Sequence, residues 1–548
     1  QKERLQALRE KEEEELAKIL SAKYGVGYID LTTVPIKTDA LKIASEKKSR
    51  EAGAAVFDRV GKKIKIAVIS PQNQDILEFI KKIKESGYAP AVYMASKQSL
   101  EKAWGRYKEI IHSSKTKAGV VDISDKNITE IIAQVDNLEK TRTVLKKNLD
   151  IKSVRYISLF FETILASAFA VNASDIHIEP EENYVSLRFR LDGVLTDIFR
   201  FDRKIYNLLL SRIKLISGLK ITIVKKPQDG RFSIKMKDKD IEIRVSVLPD
   251  AYGESIVLRL LNPDTIAVSM ENLGIEPHLF EILNREIGRP NGMILNTGPT
   301  GSGKTTTLYA FLKKIHSPEI KIITIENPIE YHLPGVVQTQ VDPAKGYTFL
   351  EGLRSSLRQD PDIIMVGEIR DGETAKIAIN SALTGHLVFS TLHTNNAAGA
   401  FYRLIDLGVQ PSIISAAINV IIAQRLVRKP CKYCARKIEL EGADKQIIDK
   451  IISEIDNIGT YTANTTKIYK VVGCPKCNNT GYKGRIGIFE ALLADSETEK
   501  ILEQNPDKSE IKKIFKRQGL LSLAQDGAIK VLKGLTTIEE LKRVVDLN

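Results

Sequence analysis

Only four cysteines occur in 548 residues, too few for a disulfide scaffold, which points to a reducing compartment. No run of about 18 uninterrupted apolar residues exists either. The most apolar stretch, 156–171, carries Glu162 and repeats Ile157, Phe160, Phe161, Ile164, Leu165 and Ala168 along one helical face. That spacing predicts a buried amphipathic helix and excludes a membrane span. Low-complexity tracts and internal repeats are also missing, which sets aside disordered, fibrous and solenoid classes, and nothing in the residues suggests a secretory leader. Aromatic and basic residues are not interleaved as a channel for single-stranded nucleic acid would require. Charge of one sign is scarce: 82 basic against 69 acidic residues leave +13. This mild excess suits an acidic partner such as nucleic acid, an anionic membrane face or an acidic protein, without requiring one. The chain opens at Gln1 and not at methionine, which leaves room for an upstream segment.

Ordinary proportions of apolar (43%) and charged (28%) residues over this length allow roughly three or four domains with cores of their own. Residues 1–115 read as a small α/β domain. A charged helix with a thin stripe of Leu5, Leu8, Leu16, Ile19 and Leu20 precedes strands at 28–31, 55–57 and 64–69, a helix at 75–86 and a strand at 91–93. Residues 116–150 are polar, strongly basic at 140–147, and read as a linker with a solvated connecting helix. A middle α/β domain spans 151–268. There Val185, Leu187, Phe189 and Leu191 alternate with Ser186, Arg188 and Arg190 before the hairpin signal Asp192-Gly193, and Ile241 to Val247 alternate in the same way. The sheet so predicted carries several arginines on its polar face. From 269 to 548 short apolar runs at 293–295, 322–325, 363–366 and 387–390 are separated by helical segments, the pattern of a parallel sheet covered on both faces. The fold class is therefore multidomain α/β.

The first of these runs leads into Gly298, Pro299, Thr300, Gly301, Ser302, Gly303, Lys304 and Thr305, a complete G-x-x-x-x-G-K-[ST] loop, and Thr306 continues it into a helix. Glycines let backbone N–H groups turn inward around phosphates, the helix end and Lys304 add positive charge, and Thr305 is placed to ligate Mg²⁺. The expected ligand is ATP. Hydrolysis further requires a carboxylate near the metal and water, and positive charge for the γ-phosphoryl. Glu368, after the apolar run 363–366 and Gly367, looks like the acidic residue of a Walker B element whose usual aspartate is glycine. Glu326 and Glu330 close another run. Surface carboxylates are common, but strand ends beside a phosphate loop are where open α/β sheets hold ligands. His386 and His393 flank the run 387–390; lone histidines are more often structural, and their position beside the expected γ-phosphate singles these two out. Cys431, Cys434, Cys474 and Cys477 form two C-x-x-C pairs and use every cysteine, giving four soft ligands for a closed, structural Zn²⁺ site.

In their order these motifs closely resemble the secretion ATPases that drive type IV pilus assembly and type II secretion. The resemblance runs through Ser174-Asp-Ile-His-Ile-Glu-Pro180, Pro227-Gln-Asp-Gly-Arg231, the phosphate loop, an "Asp box" at 325–330, Leu357-Arg-Gln-Asp-Pro-Asp362, a "His box" at 384–395, the tetracysteine module at 431–484 and 533–540 within C-terminal helices at 495–548. It implies an N-terminal regulatory or docking domain, a middle domain of the PAS-like sensory α/β kind, and a RecA-like motor assembled as a homo-hexamer. It further implies arginines near a subunit's own or its neighbour's nucleotide: Arg231, Arg244 and Arg259 from the middle domain, and Arg354, Arg358 and Arg370 from the motor. The implied partner is an inner-membrane platform protein, with the ring in the cytoplasm, peripheral to the membrane, and no direct nucleic-acid contact. A RecA-like nucleic-acid translocase is the alternative. Two features depart from the family pattern: the Asp box reads Glu326-Asn327-Pro328 where Glu-Asp-Pro is usual, and no Arg-Leu-Gly motif for cyclic di-GMP occurs in residues 1–60.

Overall fold

The computed structural model describes residues 2–547 other than 35, 42, 108–124, 150–155, 237–238, 262–267, 457, 462–465 and 504–507. The expected domain junctions at 115–116 and 150–151, and the side chains of Leu5 and Leu8, lie outside what is described. The chain divides into two compact units, residues 1–122 and 123–548.

In the first unit a helix, Lys2–Tyr24, precedes a four-stranded sheet of order β1-β4-β3-β2, built from β1 (Gly27–Tyr28), β2 (Ala54–Val60), β3 (Lys63–Val68) and β4 (Ala89–Met94). The run 28–31 keeps one strand residue, Tyr28. Asp30 Oδ1 accepts from Thr32 N at 2.7 Å, and this local turn competes with extension of the strand.

The second unit carries an antiparallel sheet of order β7-β6-β5-β10-β9-β8, from β5 (Asp175–Pro180), β6 (Val185–Leu191), β7 (Val194–Phe201), β8 (Gln228–Met236), β9 (Lys239–Asp250) and β10 (Gly253–Leu261). Asp192 and Gly193 both take positive φ, 46° and 88°, the backbone that matches a two-residue turn to the strand twist. The apolar face of the sheet packs on the helix Tyr156–Ala170, with Phe160 against Phe201 and Phe161 against Phe232. This helix is apolar on more faces than one stripe: Thr163 to Phe169 are all buried. The basic stretch read as a solvated connector is a packed helix instead. Leu138–Leu149 buries Leu138, Thr141, Leu145 and Asn148, Asn148 Nδ2 donates to Thr163 Oγ1 at 2.6 Å, and Arg142 donates to the carbonyls of Asp197 and Ile198 on β7. Its lysines line only the outer side.

The remaining sheet has the order β13-β12-β14-β15-β11-β16-β19, with β11 (Gly292–Thr297), β12 (Ile322–Glu326), β13 (Val337–Gln340), β14 (Ile363–Val366), β15 (Leu387–Leu392), β16 (Ile418–Pro430) and β19 (Tyr482–Leu493). Between β16 and β19 a small ladder pairs β17 (Arg436–Glu439) with β18 (Lys467–Lys470). Every residue of β11, β12, β14 and β15 is buried, which explains their unbroken apolar spelling. The sheet is not wholly parallel, because β19 runs antiparallel to β16 along its edge.

Candidate functional site

The phosphate loop sits between β11 and the helix Lys304–Ile315, at the carboxyl end of the strand. Gly301 and Gly303 hold φ of 79° and 93°, the left-handed region that lets consecutive N–H groups turn into the loop. Gly298 is closed in from below. A Cβ there would lie 2.6 Å from the Gln424 carbonyl oxygen and 3.0 Å from Arg425 Nη1. Lys304 Nζ donates to the carbonyls of Gly298 and Pro299 at 2.7 and 3.1 Å. Burial pushes its ammonium down to about 8, an effect that Glu368 opposes and Arg425 adds to. Thr305 and Thr306 follow on the half-buried first turn, and Thr307 Oγ1 donates to Gln424 Oε1 at 2.9 Å.

Three neighbouring strands, β14, β15 and β11, deliver Glu368, His393 and Lys304 to one edge of the sheet. Glu368 accepts from Arg370 Nη2 at 2.6 Å, and His393 Nε2 stands 3.5 Å from its other oxygen. Burial, then the charges of Lys304 and Arg370, hold the His393 imidazolium below its usual range against the pull of Glu368, so the ring is neutral near pH 7. Gly367 has a packing reason. A Cβ there would press to 3.2 Å from the Ile325 carbonyl oxygen, leaving no comfortable room for an aspartate.

Glu326 ends β12 and is only 3% exposed. It accepts hydrogen bonds from Thr324 Oγ1 at 2.5 Å, from Gln338 Nε2 at 3.1 Å and from the Tyr309 hydroxyl. Burial raises its pKa and the three donors pull it back; the same burial pushes Tyr331 up to about 12. Glu330 is drawn the other way, onto Arg244 Nη1 at 3.2 Å, while Arg244 Nη2 donates to the Ile329 carbonyl at 2.7 Å. The two Asp-box carboxylates thus hold different hydrogen-bond partners. His386 is separated from the cluster. It precedes β15 and its Nδ1 lies 3.1 Å from the Ser381 carbonyl oxygen, a strand length of about 20 Å from the end that carries His393.

The strand register aligns Arg231, Arg244 and Arg259 in one row across β8, β9 and β10, continued by Asp175 and Arg190 on β5 and β6. Within the row Arg259 Nε donates to Asp175 at 2.9 Å, while Arg231 is 69% exposed with Glu242 as its partner at 3.9 Å. Among the described residues Arg354 and Arg358 bond only locally, to Glu351, to the Arg354 carbonyl and to Ser355. Of the six arginines, Arg370 meets the Glu368 cluster and Arg244 meets the Asp box.

The four cysteine sulfurs lie within 4.8 Å of one another. Cys431 Sγ stands 3.9 Å from Cys474 Sγ, and Cys477 Sγ is 3.8 Å from Cys434 Sγ and 3.7 Å from Cys474 Sγ. Tetrahedral Zn–S bonds of ~2.3 Å require sulfur separations of about 3.8 Å. The donor set therefore fits Zn²⁺. Cys477 Sγ also accepts from the N–H groups of Cys474 and Gly481 at 3.2 and 3.3 Å, donors that would serve a metal-bound sulfur.

The family model described as type II/IV secretion system protein matches residues 150–543. The chain belongs to this family. Within it, the type IV pilus assembly ATPase PilB of Myxococcus xanthus is 37% identical over 97% of this chain and 91% of its own length, and the PilB of Thermus thermophilus is 38% identical over 96% of this chain and 57% of its own. The type II secretion system ATPase E of Vibrio cholerae is 41% identical over 76% of this chain and 80% of its own length. Residues 24–114 match a second family model, the MshEN domain. Among solved structures, the ATPase DotB of Legionella pneumophila superposes with a TM-score of 0.51 at 22% identity, over 72% of this chain and 97% of that one, so the likeness to this RecA-like secretion ATPase is one of fold. Two residues that back the phosphate loop, Gln424 and Arg425, belong to no motif read from the sequence. Their only signal is a polar pair ending the apolar run 420–423, which becomes legible once β16 is known to lie beside β11.

Proposed function

We propose that this family member is a homo-hexameric, cytoplasmic ATP hydrolase whose turnover powers pilin or pseudopilin polymerisation by a type IV pilus or type II secretion machine, acting peripherally at the inner membrane on a platform protein. What carries this reading is the convergence of Lys304, Glu368 and His393 at the carboxyl ends of three adjacent strands. Residues 298–303 would cradle the phosphates of ATP, with Thr305 ligating Mg²⁺ and Thr306 beginning the helix behind it. When bound, Mg²⁺ would supply charge for the β and γ oxygens. Glu368 accepts a proton from, or polarises, the attacking water, and neutral His393 holds its second oxygen in place. Glu326 and Glu330 complete the polar shell, Glu330 through Arg244 of the middle domain. Arg370 balances Glu368 until a phosphate takes its place.

Arg231, at 69% exposed, and Arg354, at 48%, keep free edges for a neighbouring subunit, a role we extend to Arg358 and Arg259. Cys431, Cys434, Cys474 and Cys477 would hold a structural Zn²⁺. Residues 1–115 would dock or regulate, and 151–268 would swing against 269–548. Among the described residues no helix is long and apolar enough to cross a membrane, and no nucleic-acid contact is invoked. The test is MgATP turnover and mass by light scattering. Wild type should form a ring and hydrolyse ATP, while Glu368→Gln should bind ATP with turnover reduced about 100-fold or more. A wild type without turnover at any concentration, or a Glu368→Gln variant of full activity, would refute it.

A further inference from the structure

After His393 the chain does not simply leave β15; before the helix Ala397–Asp406 begins, residues 394–395 cross the end of β11 and meet a side chain of β16. Thr394 N donates to Thr297 Oγ1 at 2.9 Å, and the two threonine hydroxyls are 2.7 Å apart. The crossing is completed by Arg425, whose Nη2 donates to the Asn395 carbonyl at 2.7 Å and whose Nη1 donates to the Gln424 carbonyl at 2.9 Å. The same Nη1 lies 3.0 Å from where a Gly298 side chain would begin. One guanidinium thus touches the strap behind His393 and backs the first glycine of the phosphate loop.

Arg425 is half-buried, and among the described residues it forms no ion pair with a carboxylate. Burial pushes its guanidinium below the usual arginine range, with the charge of Glu490 pulling the other way. A partly desolvated cation satisfied by two backbone carbonyls is costly to keep, and what it secures is geometry. The rigid planar fork holds two carbonyls on different segments in a fixed relative geometry, where an ammonium on its flexible stem binds as a point charge.

Resting on the proposed ATPase reading, we propose that Arg425 is a positioning residue for hydrolysis: it clamps the 394–395 strap across β11 so that His393 and Glu368 face the phosphate loop. It acts on the water-activating side of the site and not on the hold over nucleotide. The consequence is a loss in kcat with nucleotide affinity kept.

The measurement is steady-state turnover together with equilibrium binding of a fluorescent ATP analogue, on the full-length chain in its assembled form. Arg425→Ala should lower kcat about tenfold or more while the Kd for nucleotide changes less than about threefold. Arg425→Lys, which retains charge and one carbonyl contact, should recover part of that loss and guards against a folding artefact, as does an unchanged melting temperature. In Arg425→Ala the further substitution His393→Ala should cost less than it does in wild type, because the strap that aims the ring is already loose. The inference is overturned if Arg425→Ala leaves kcat unchanged, if Kd rises by as much as kcat falls, or if the His393 and Arg425 losses multiply independently. A wild type with no turnover would instead defeat the ATPase reading itself.

Discussion

Lys304 shows how much of this site is electrostatics under partial burial. Its ammonium, held at about 8 chiefly by burial, is charged below that value and neutral above it, whereas an exposed lysine stays charged to beyond pH 10. Phosphate binding needs the charged form. The kcat/KM for ATP, which reports the free enzyme, is therefore expected to be flat from about pH 6.5 to 7.5 and to fall towards tenfold per pH unit above about 8. A pH–rate profile still flat at about pH 9.5 would show that the lysine keeps its proton in the free protein. At this scale the glycines, Lys304 and Glu368 were legible because their chemistry is written in a contiguous motif. The partners of Glu326 were not: Tyr309 and Gln338 lie 17 and 12 residues away, and only the packing of helix Lys304–Ile315 and β13 on β12 brings them to the carboxylate.

Secondary elements are joined here by buried polar groups as well as by apolar faces. Glu490 on β19 accepts from Ala397 N at 2.9 Å and from Leu523 N at 3.2 Å, the first N–H groups of the helices Ala397–Asp406 and Leu523–Leu532. One carboxylate thus caps two helices at their positive ends. Burial raises its pKa against the pull of these N–H groups and Arg425. A raised native pKa means that the folded protein keeps this proton longer than the unfolded chain, so the stability it contributes is full below the ordinary carboxylate range and declines as pH rises through the shifted value. Glu490→Gln, which does not titrate, should be less stable than wild type by about 1–3 kcal/mol at pH 5, and the gap should narrow by pH 8. Denaturant unfolding at the two pH values reads this directly, and a gap that widens would contradict the assignment. The run 420–423 is apolar in the sequence, but its neighbour β19 could not be named, since antiparallel pairing between strands some fifty residues apart leaves no local trace.

Over the whole second unit, the cysteine module does more than close its own loop. Asn478 Oδ1 accepts from Leu138 N, and Gly484 N donates to Asp192 Oδ2, both at 2.9 Å. The knuckle thereby caps the helix Leu138–Leu149 and holds the β6–β7 turn, linking the antiparallel sheet to the seven-stranded sheet. Removing the metal, by chelation or by Cys477→Ser, should release about one Zn²⁺ per chain and raise hydrogen exchange in 138–149 and 185–201 before the buried strands β11, β14 and β15 respond. Equal exchange in both states would mean that the module is an isolated staple. By itself the sequence determined the phosphate loop, the tetracysteine set, the alternating strands and the α/β class, because each depends on neighbours along the chain or on a short spacing. The tertiary structure decided which carboxylates share a site, that His386 stands apart, that the basic helix is packed, and that Arg425 meets the loop. Each of those depends on distances between segments far apart in sequence, and such distances are set by strand order and register, which no local pattern of residues encodes.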